Sequence, residues 1–191
     1  MQQLLMPNRT LPIDGDGMYH IYNRATGNEQ LFFTEKHYVH FLQGIEKYVL
    51  PQADIWSYCL LPNHFHFLIE LKESATGELF SKAISDCCNG YTKWLNIITK
   101  RKGNLFMRPF KRNKIINDAH LAWTIWYIHR NPLHHHYVKK FEDWKFSSYK
   151  AALSSNTKIS AKKVLNFFGG DGNYIRFHKE QLRGFFDTLE Y

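Results

Sequence analysis

The chain has 191 residues, of which 44% are hydrophobic and 16% aromatic, and its formal net charge is +8 at pH 7. That length and apolar content suit one domain with a filled core, and they exclude a disordered or disulfide-stapled chain. The basic balance favours polyanionic partners, nucleic acid before anionic membrane, and no apolar run approaches the roughly 20 residues of a membrane span.

From the N-terminus, residues 1–14 lack the basic head and apolar stretch of a secretory leader. Residues 18–23 (MYHIYN) are aromatic and β-branched and predict a first strand, followed by a loop at Gly27-Asn28. Thr34 caps a helix whose apolar positions Tyr38, Phe41, Leu42, Ile45 and Val49 keep helical spacing until Pro51. Residues 54–61 and 64–71 form two strands joined at Pro62-Asn63, which predicts a tight hairpin. A long helix follows over 74–100, with Gly90 as an interruption, and then a strand over 110–116. Asp118 caps a helix over 120–130 that Pro132 ends. A turn and short packing helix occupy 144–153, and 154–160 is a polar loop. The rest holds a small helix, a Gly169-Gly170 break and an amphipathic helix near 174–189. Three cysteines, Cys59, Cys87 and Cys88, form no C-x-x-C pair and predict reduced thiols in a cytoplasmic protein. Strands and helices in this order predict an α+β fold, an antiparallel sheet with helices packed on it.

A strand alternates its side chains, so His64 and His66 share one face while Phe65 and Phe67 share the other. The aromatic pair can fill a core while two imidazoles are presented side by side to a metal. Two surface histidines on a half-buried strand fit the same pattern. Tyr127 and Asn131, four residues apart on a helix, share one face and can approach one metal together. Tyr127 sits among Trp123, Trp126 and Ile128, which equally suits a core aromatic, and Tyr91 is a rival nucleophile on another helix.

Five segments then appear in order: Tyr19-His-Ile-Tyr-Asn-Arg24, residues 58–69 (YCLLPNHFHFLI), residues 103–112 (GNLFMRPFKR), residues 127–132 (YIHRNP) and residues 144–149 (WKFSSY). Through them the chain resembles the IS200-like single-tyrosine transposases, closest to the branch associated with repeated extragenic palindromes (REP). The resemblance covers roughly residues 18–153. It implies an HUH nuclease fold, a ferredoxin-like sandwich over 15–153, with 154–191 as a C-terminal helical extension. It assigns His64, His66 and Asn131 to the metal and Tyr127 to attack on DNA through a 5′-phosphotyrosine intermediate. Some relatives carry Gln where this chain has Asn131. The metal implied is Mg2+ or Mn2+, imidazole ligands suiting manganese better than magnesium. The partner implied is single-stranded DNA carrying hairpins or palindromic repeats, met by a monomer or by a homodimer, on the cytoplasmic nucleoid.

Lys100, Arg101, Lys102, Arg108, Lys111, Arg112 and Lys114 alternate with Phe106 and Phe110 in a pattern that suits phosphates and bases. Of these, Arg108, Lys111 and Arg112 match the family segment and are the predicted DNA contacts, joined by Arg24 and Asn23. Lys100–Lys102 reads equally well as a solvated turn. Glu70 reads as an edge glutamate, and His134–His136 as a polar surface turn. Two other functions compete: a domesticated DNA-binding protein without catalysis, and a metal hydrolase that would use the H-x-H pair but not Tyr127.

Overall fold

The computed structural model describes residues 12–13, 15, 17–154 and 159–180. Its strands are β1 (Met18–Arg24), β2 (Ala53–Leu61), β3 (His64–Leu71) and β4 (Lys111–Lys114). Its helices are α1 (Glu35–Gly44, continued by a π turn at Ile45–Val49), α2 (Gly77–Thr99), α3 (Asp118–His134), α4 (Tyr149–Ala152), α5 (Ala161–Phe168) and α6 (Asp171–Lys179). The sheet order is β2-β3-β1-β4 with every neighbouring pair antiparallel. β3 therefore lies between β1 and β2, the two strands that α1 connects, which is the split βαβ arrangement of a ferredoxin-like sandwich. The α+β architecture expected from the sequence is present.

Strand parity divides the molecule into two cores. Tyr19 and Ile21 of β1 and Phe65, Phe67 and Ile69 of β3 face α1 and α2, where Phe41, Phe80, Ile84 and Tyr91 meet them. On the other side, Leu68 of β3 packs with Cys59 and Leu61 of β2 and with Leu121, Ile125 and Ile128 of α3. β2 keeps this division only because its register shifts between Ile55 and Ser57. The extra residue reverses the alternation, so Ile55 and Leu60 both face α1 and α2 although their numbers differ in parity. All three cysteines are buried free thiols.

Several boundaries differ from the sequence expectation, for local reasons. α2 starts at Gly77, where the Thr76 side chain accepts from the Leu79 N–H, and Gly90 does not interrupt it. The cap of α3 is Asn117, one residue before the expected Asp118; its Oδ1 accepts from the His120 N–H at 2.8 Å. α3 also runs past Pro132 to His134. Proline lacks only its own N–H, and the turn is closed further on by His135 N–H donating to Asn131 O at 2.9 Å. β4 is shorter than predicted, Lys111–Lys114 instead of 110–116. The break between α5 and α6 falls on Gly169 and Gly170, at φ 74° and 105°. Of the amphipathic helix expected near 174–189, residues 181–191 lie outside the described residues.

α5 and α6 are fastened to the sheet and to the back of α3. Lys163 donates to Asp54 at 2.8 Å and to Glu70 at 2.6 Å, and Trp56 donates to the same Glu70 oxygen at 3.0 Å. His129 of α3 bridges His178 of α6 at 2.8 Å and Ser148 Oγ at 2.7 Å, with all three side chains fully buried. Arg130 adds a bond to His178 O at 3.1 Å.

Burial makes these histidines resist protonation. It holds His178 down at about 4 and His20 at about 3, against an unfolded value near 6.5. With folded values below the unfolded one, the unfolded chain binds protons first, so stability is full above about pH 6.5 and is lost as pH falls toward 4. Thermal unfolding followed across that window should show a progressively lower midpoint. A midpoint that stays level from pH 6.5 to 4 would contradict the buried neutral state.

Candidate metal and tyrosine site

The site forms where β3 passes under α3. Phe65 and Phe67 are fully buried toward α1 and α2, so His64 and His66 must point at α3. Register places Tyr22 and Cys59 beside His66, and Arg24 and Leu61 beside His64. The two imidazole rings lie 5.1 Å apart and nearly perpendicular. From above, α3 contributes Tyr127, whose ring stands edge-on to His66 at 5.7 Å and to His20 at 6.0 Å and stacks on Trp123 at 5.9 Å. One turn on, Asn131 is fully buried with its Oδ1 3.4 Å from His64 Nε2.

The tautomer of His64 follows from its two contacts. Asn63 Oδ1 lies 2.7 Å from Nδ1, and Asn131 Oδ1 lies 3.4 Å from Nε2. Both oxygens can only accept, so the shorter contact takes the proton and Nδ1–H donates to Asn63. Burial first, then His135, lowers the pKa of His64 to about 4 despite an opposing contribution from Asn131, so the ring is neutral. Nε2 and Asn131 Oδ1 therefore face each other as two lone pairs, with the Asn131 amide Nδ2 turned to Tyr127 O at 3.4 Å. Two donors bound to one cation at about 2.1 Å stand about 3.0 Å apart in octahedral and about 3.4 Å in tetrahedral coordination. The observed spacing and donor chemistry fit a divalent ion held by His64, Asn131 and His66. His66 is also held neutral, well below the usual range, by burial and then by His20. Among the described residues, no group of three or more His, Cys, Asp or Glu is arranged to hold a metal, so an ion here depends on the Asn131 amide.

The other predicted residues divide. Tyr91 is on the far side of the sheet, buried in the first core, and its hydroxyl donates to Leu31 O at 2.5 Å. It does not approach the histidines. Arg24, Arg108 and Lys111 line a pocket beside His64 and His66. Arg112 does not: it pairs with Ile21, on the opposite face from Lys111 and Tyr22, and its guanidinium covers Phe110 at 5.6 Å. Asn23 lines the pocket, but its amide is used structurally, donating to Met107 O at 2.9 Å and accepting from Arg24 N–H. Arg101 likewise ties the turn after α2 together, bonding Glu29, Asn96 Oδ1, Gly103 O and Asn104 O. Glu70 sits on the histidine face yet is engaged by Lys163 and Trp56.

Two site residues escaped the sequence reading. His20 Nε2 lies 2.9 Å from His66 Nδ1, and a ring nitrogen so engaged fixes which nitrogen faces a metal. Its signal was parity, since His20 and Tyr22 share the β1 face next to β3. His135, assigned to a surface turn, is exposed but lies 4.8 Å from the His64 ring and lines the pocket. It sits four residues beyond Asn131, on the same side of the helix end.

No protein-family model matches the chain. Over 100 residues it is 30% identical to a Haemophilus influenzae protein described as a REP-associated tyrosine transposase, covering 48% of this chain and 56% of that protein. The chain thus matches little more than half of that relative's length. In fold it is similar to a solved REP-associated tyrosine transposase bound to a REP hairpin, with TM-score 0.66 and 22% identity over 78% of this chain and 86% of that one. Both the sequence match and the fold match are to proteins described as REP-associated tyrosine transposases.

Arg101 and Arg108, two of the three arginines in the basic segment, should behave differently when removed. Arg101→Ala should destabilise the fold by about 1–2 kcal/mol, because it unties a partly buried charged network. Arg108→Ala, whose side chain is exposed, should stay within about 0.5 kcal/mol. Urea unfolding of both variants is the check, and equal losses would contradict the division of roles.

Proposed function

We propose that this chain is a metal-dependent DNA-nicking and strand-transfer enzyme of the HUH single-tyrosine kind, acting on single-stranded DNA beside hairpins. The observation that carries the proposal is that His64 Nε2 and Asn131 Oδ1 lie 3.4 Å apart beside the His66 ring and beneath Tyr127. Similarity to a transposase and to a hairpin-bound structure supports the substrate class. The net charge of +8 supports a polyanion. One chain supplies every group of the site, which supports action as a monomer. A DNA substrate puts this work at the cytoplasmic nucleoid, and no helix among the described residues is long and apolar enough to cross a membrane.

In this chemistry the Tyr127 oxygen attacks the phosphorus of a DNA phosphodiester. An Oη–P bond forms, the P–O3′ bond breaks, the phenol proton is released, and the departing 3′-oxygen takes up a proton as a 3′-hydroxyl. The 5′-phosphate stays on the tyrosine, so the ester bond is conserved and the reverse attack rejoins strands without ATP. A bound divalent cation, Mg2+ or Mn2+, would neutralise phosphate oxygens and favour the tyrosinate. His64, His66 and Asn131 would hold it. Asn63 keeps the His64 imidazole in the ligating tautomer, His20 engages the His66 Nδ1 and leaves Nε2 for the ion, and Trp123 together with His20 fixes the plane of the Tyr127 ring. Arg108 and Lys111 at the pocket rim meet the strand's phosphates.

Labelled hairpin-bearing single-stranded DNA incubated with the protein and Mn2+ should yield a covalent adduct on a denaturing gel. Tyr127→Phe should remove it entirely while DNA binding stays within about twofold. An adduct that survives Tyr127→Phe would sink the nucleophile assignment. DNA binding with no adduct by the wild type would indicate a domesticated DNA-binding protein.

A further inference from the structure

The three consecutive histidines at the end of α3 have no part in the nicking chemistry described above. Of them, His135 lies over the site. Its N–H donates to Asn131 O at 2.9 Å, which holds its backbone one turn beyond that residue, and its ring centroid is 4.8 Å from that of His64. His134 instead stands perpendicular to His135 at 5.5 Å, and His136 takes a left-handed backbone at φ 58°. His135 is also close enough to act on both ligand rings. After burial it is the next cause lowering His64, and after burial, His20 and His64 it adds to the lowering of His66.

On the metal-site reading given above, we propose that His135 is a fourth protein ligand, which closes the site around a zinc-class ion and shuts phosphate out. Imidazoles bound to one ion at about 2.1 Å have ring centroids about 4.5 Å apart at a right angle and about 5.2 Å apart at the tetrahedral angle. The His64–His135 and His64–His66 spacings, 4.8 and 5.1 Å, both fall in that interval. Asn131 Oδ1, 3.4 Å from His64 Nε2, matches a tetrahedral edge. As the side chains stand, the three histidines do not enclose an ion, so closure requires a turn of the His135 ring. That ring is exposed at the helix end, whereas His66 and Asn131 are buried, so the turn disturbs little packing. Three imidazoles and one amide oxygen favour zinc over magnesium or manganese, since zinc binds nitrogen ligands in fours and the harder ions prefer oxygen-rich octahedra. A tetrahedral ion with four protein ligands has no position left for a phosphate oxygen. An octahedral ion on His64, His66 and Asn131 alone keeps positions open. The pocket thus offers an open set for catalysis and a closed set for zinc, and His135 separates the two.

The test is a competition titration of the wild-type chain and of His135→Ala with Zn2+ and with Mn2+, with His134→Ala as control. His135→Ala should weaken Zn2+ binding about tenfold or more and Mn2+ binding by no more than about twofold, and His134→Ala should change neither. Co2+ stands in for zinc in absorption spectra. The wild type should show the intense visible bands of a four-coordinate ion, and His135→Ala the weak bands of a higher-coordinate one. Zn2+ should abolish adduct formation by the wild type in Mn2+, and His135→Ala should require about tenfold more zinc for the same loss. No Zn2+ binding by the wild type, a zinc affinity and cobalt spectrum indifferent to His135→Ala, or an equal loss of Mn2+ affinity would overturn the proposal. Zinc binding that depends on His64 but not on His135 would keep the metal site and remove the closing ligand. Zinc binding that depends on His135, without any adduct from the wild type, would keep the closed site and sink the nicking reading.

Discussion

Side chains of β3 alternate between two different jobs, and the rest of the molecule is arranged around that alternation. Phe65 and Phe67 anchor the strand in the core with α1 and α2, and their burial leaves His64 and His66 no direction but toward α3. Removing one such phenylalanine typically costs about 3–5 kcal/mol, and a one-residue slip would exchange the aromatic and imidazole faces altogether. The register shift in β2 serves the same end. It puts Leu60 on the α1 and α2 side with Ile55, and Leu61 on the α3 side with Cys59, despite an extra residue at Trp56. The geometry of the imidazoles is thus inherited from packing some distance from them.

α3 answers from the other side with three faces. Leu121, Ile125 and Ile128 bury it on the sheet, His129 and Arg130 bind it to α6, and Tyr127 and Asn131 overhang the histidines. A helix seated on two independent contacts has little freedom to rotate, which matters because Asn131 reaches His64 only through a side chain one methylene shorter than glutamine. The buried His178–His129–Ser148 chain is costly unless fully hydrogen-bonded, and it is: His178 Nδ1 is satisfied by Tyr174 O at 2.8 Å. The C-terminal helices therefore act on the site by fixing the angle of the helix that overhangs it.

Much of this was legible in the residues. The H-x-H parity, the helical spacing of Tyr127 and Asn131 and the strand-helix order all depend on local periodicity, which a sequence displays directly. What was not legible depends on contacts between distant segments. Arg101 and Arg108 look alike in a basic run, yet one closes a turn and the other rims a pocket, because Asn96 and Asn89 lie on different parts of α2. Arg112 matched the family segment but lies on the face of β4 away from the pocket, beside Ile21. His20 was visible only through its register with Leu68 and its neighbour His66. His135 was hidden because α3 continues through Pro132, carrying the helix end over His64 where a proline stop would have left a loose turn.

In the proposed site, opposed lone pairs of His64 and Asn131, together with His66, would hold a divalent cation. Titration of the DNA-free protein with Mn2+, followed by the loss of the free-ion electron paramagnetic resonance signal, tests it most directly. One ion should bind per chain, with a loss of at least tenfold in affinity for His64→Ala or Asn131→Ala in folded protein and no change for Glu70→Gln. Mn2+ binding that is indifferent to His64→Ala, or no binding by the wild type, would contradict it.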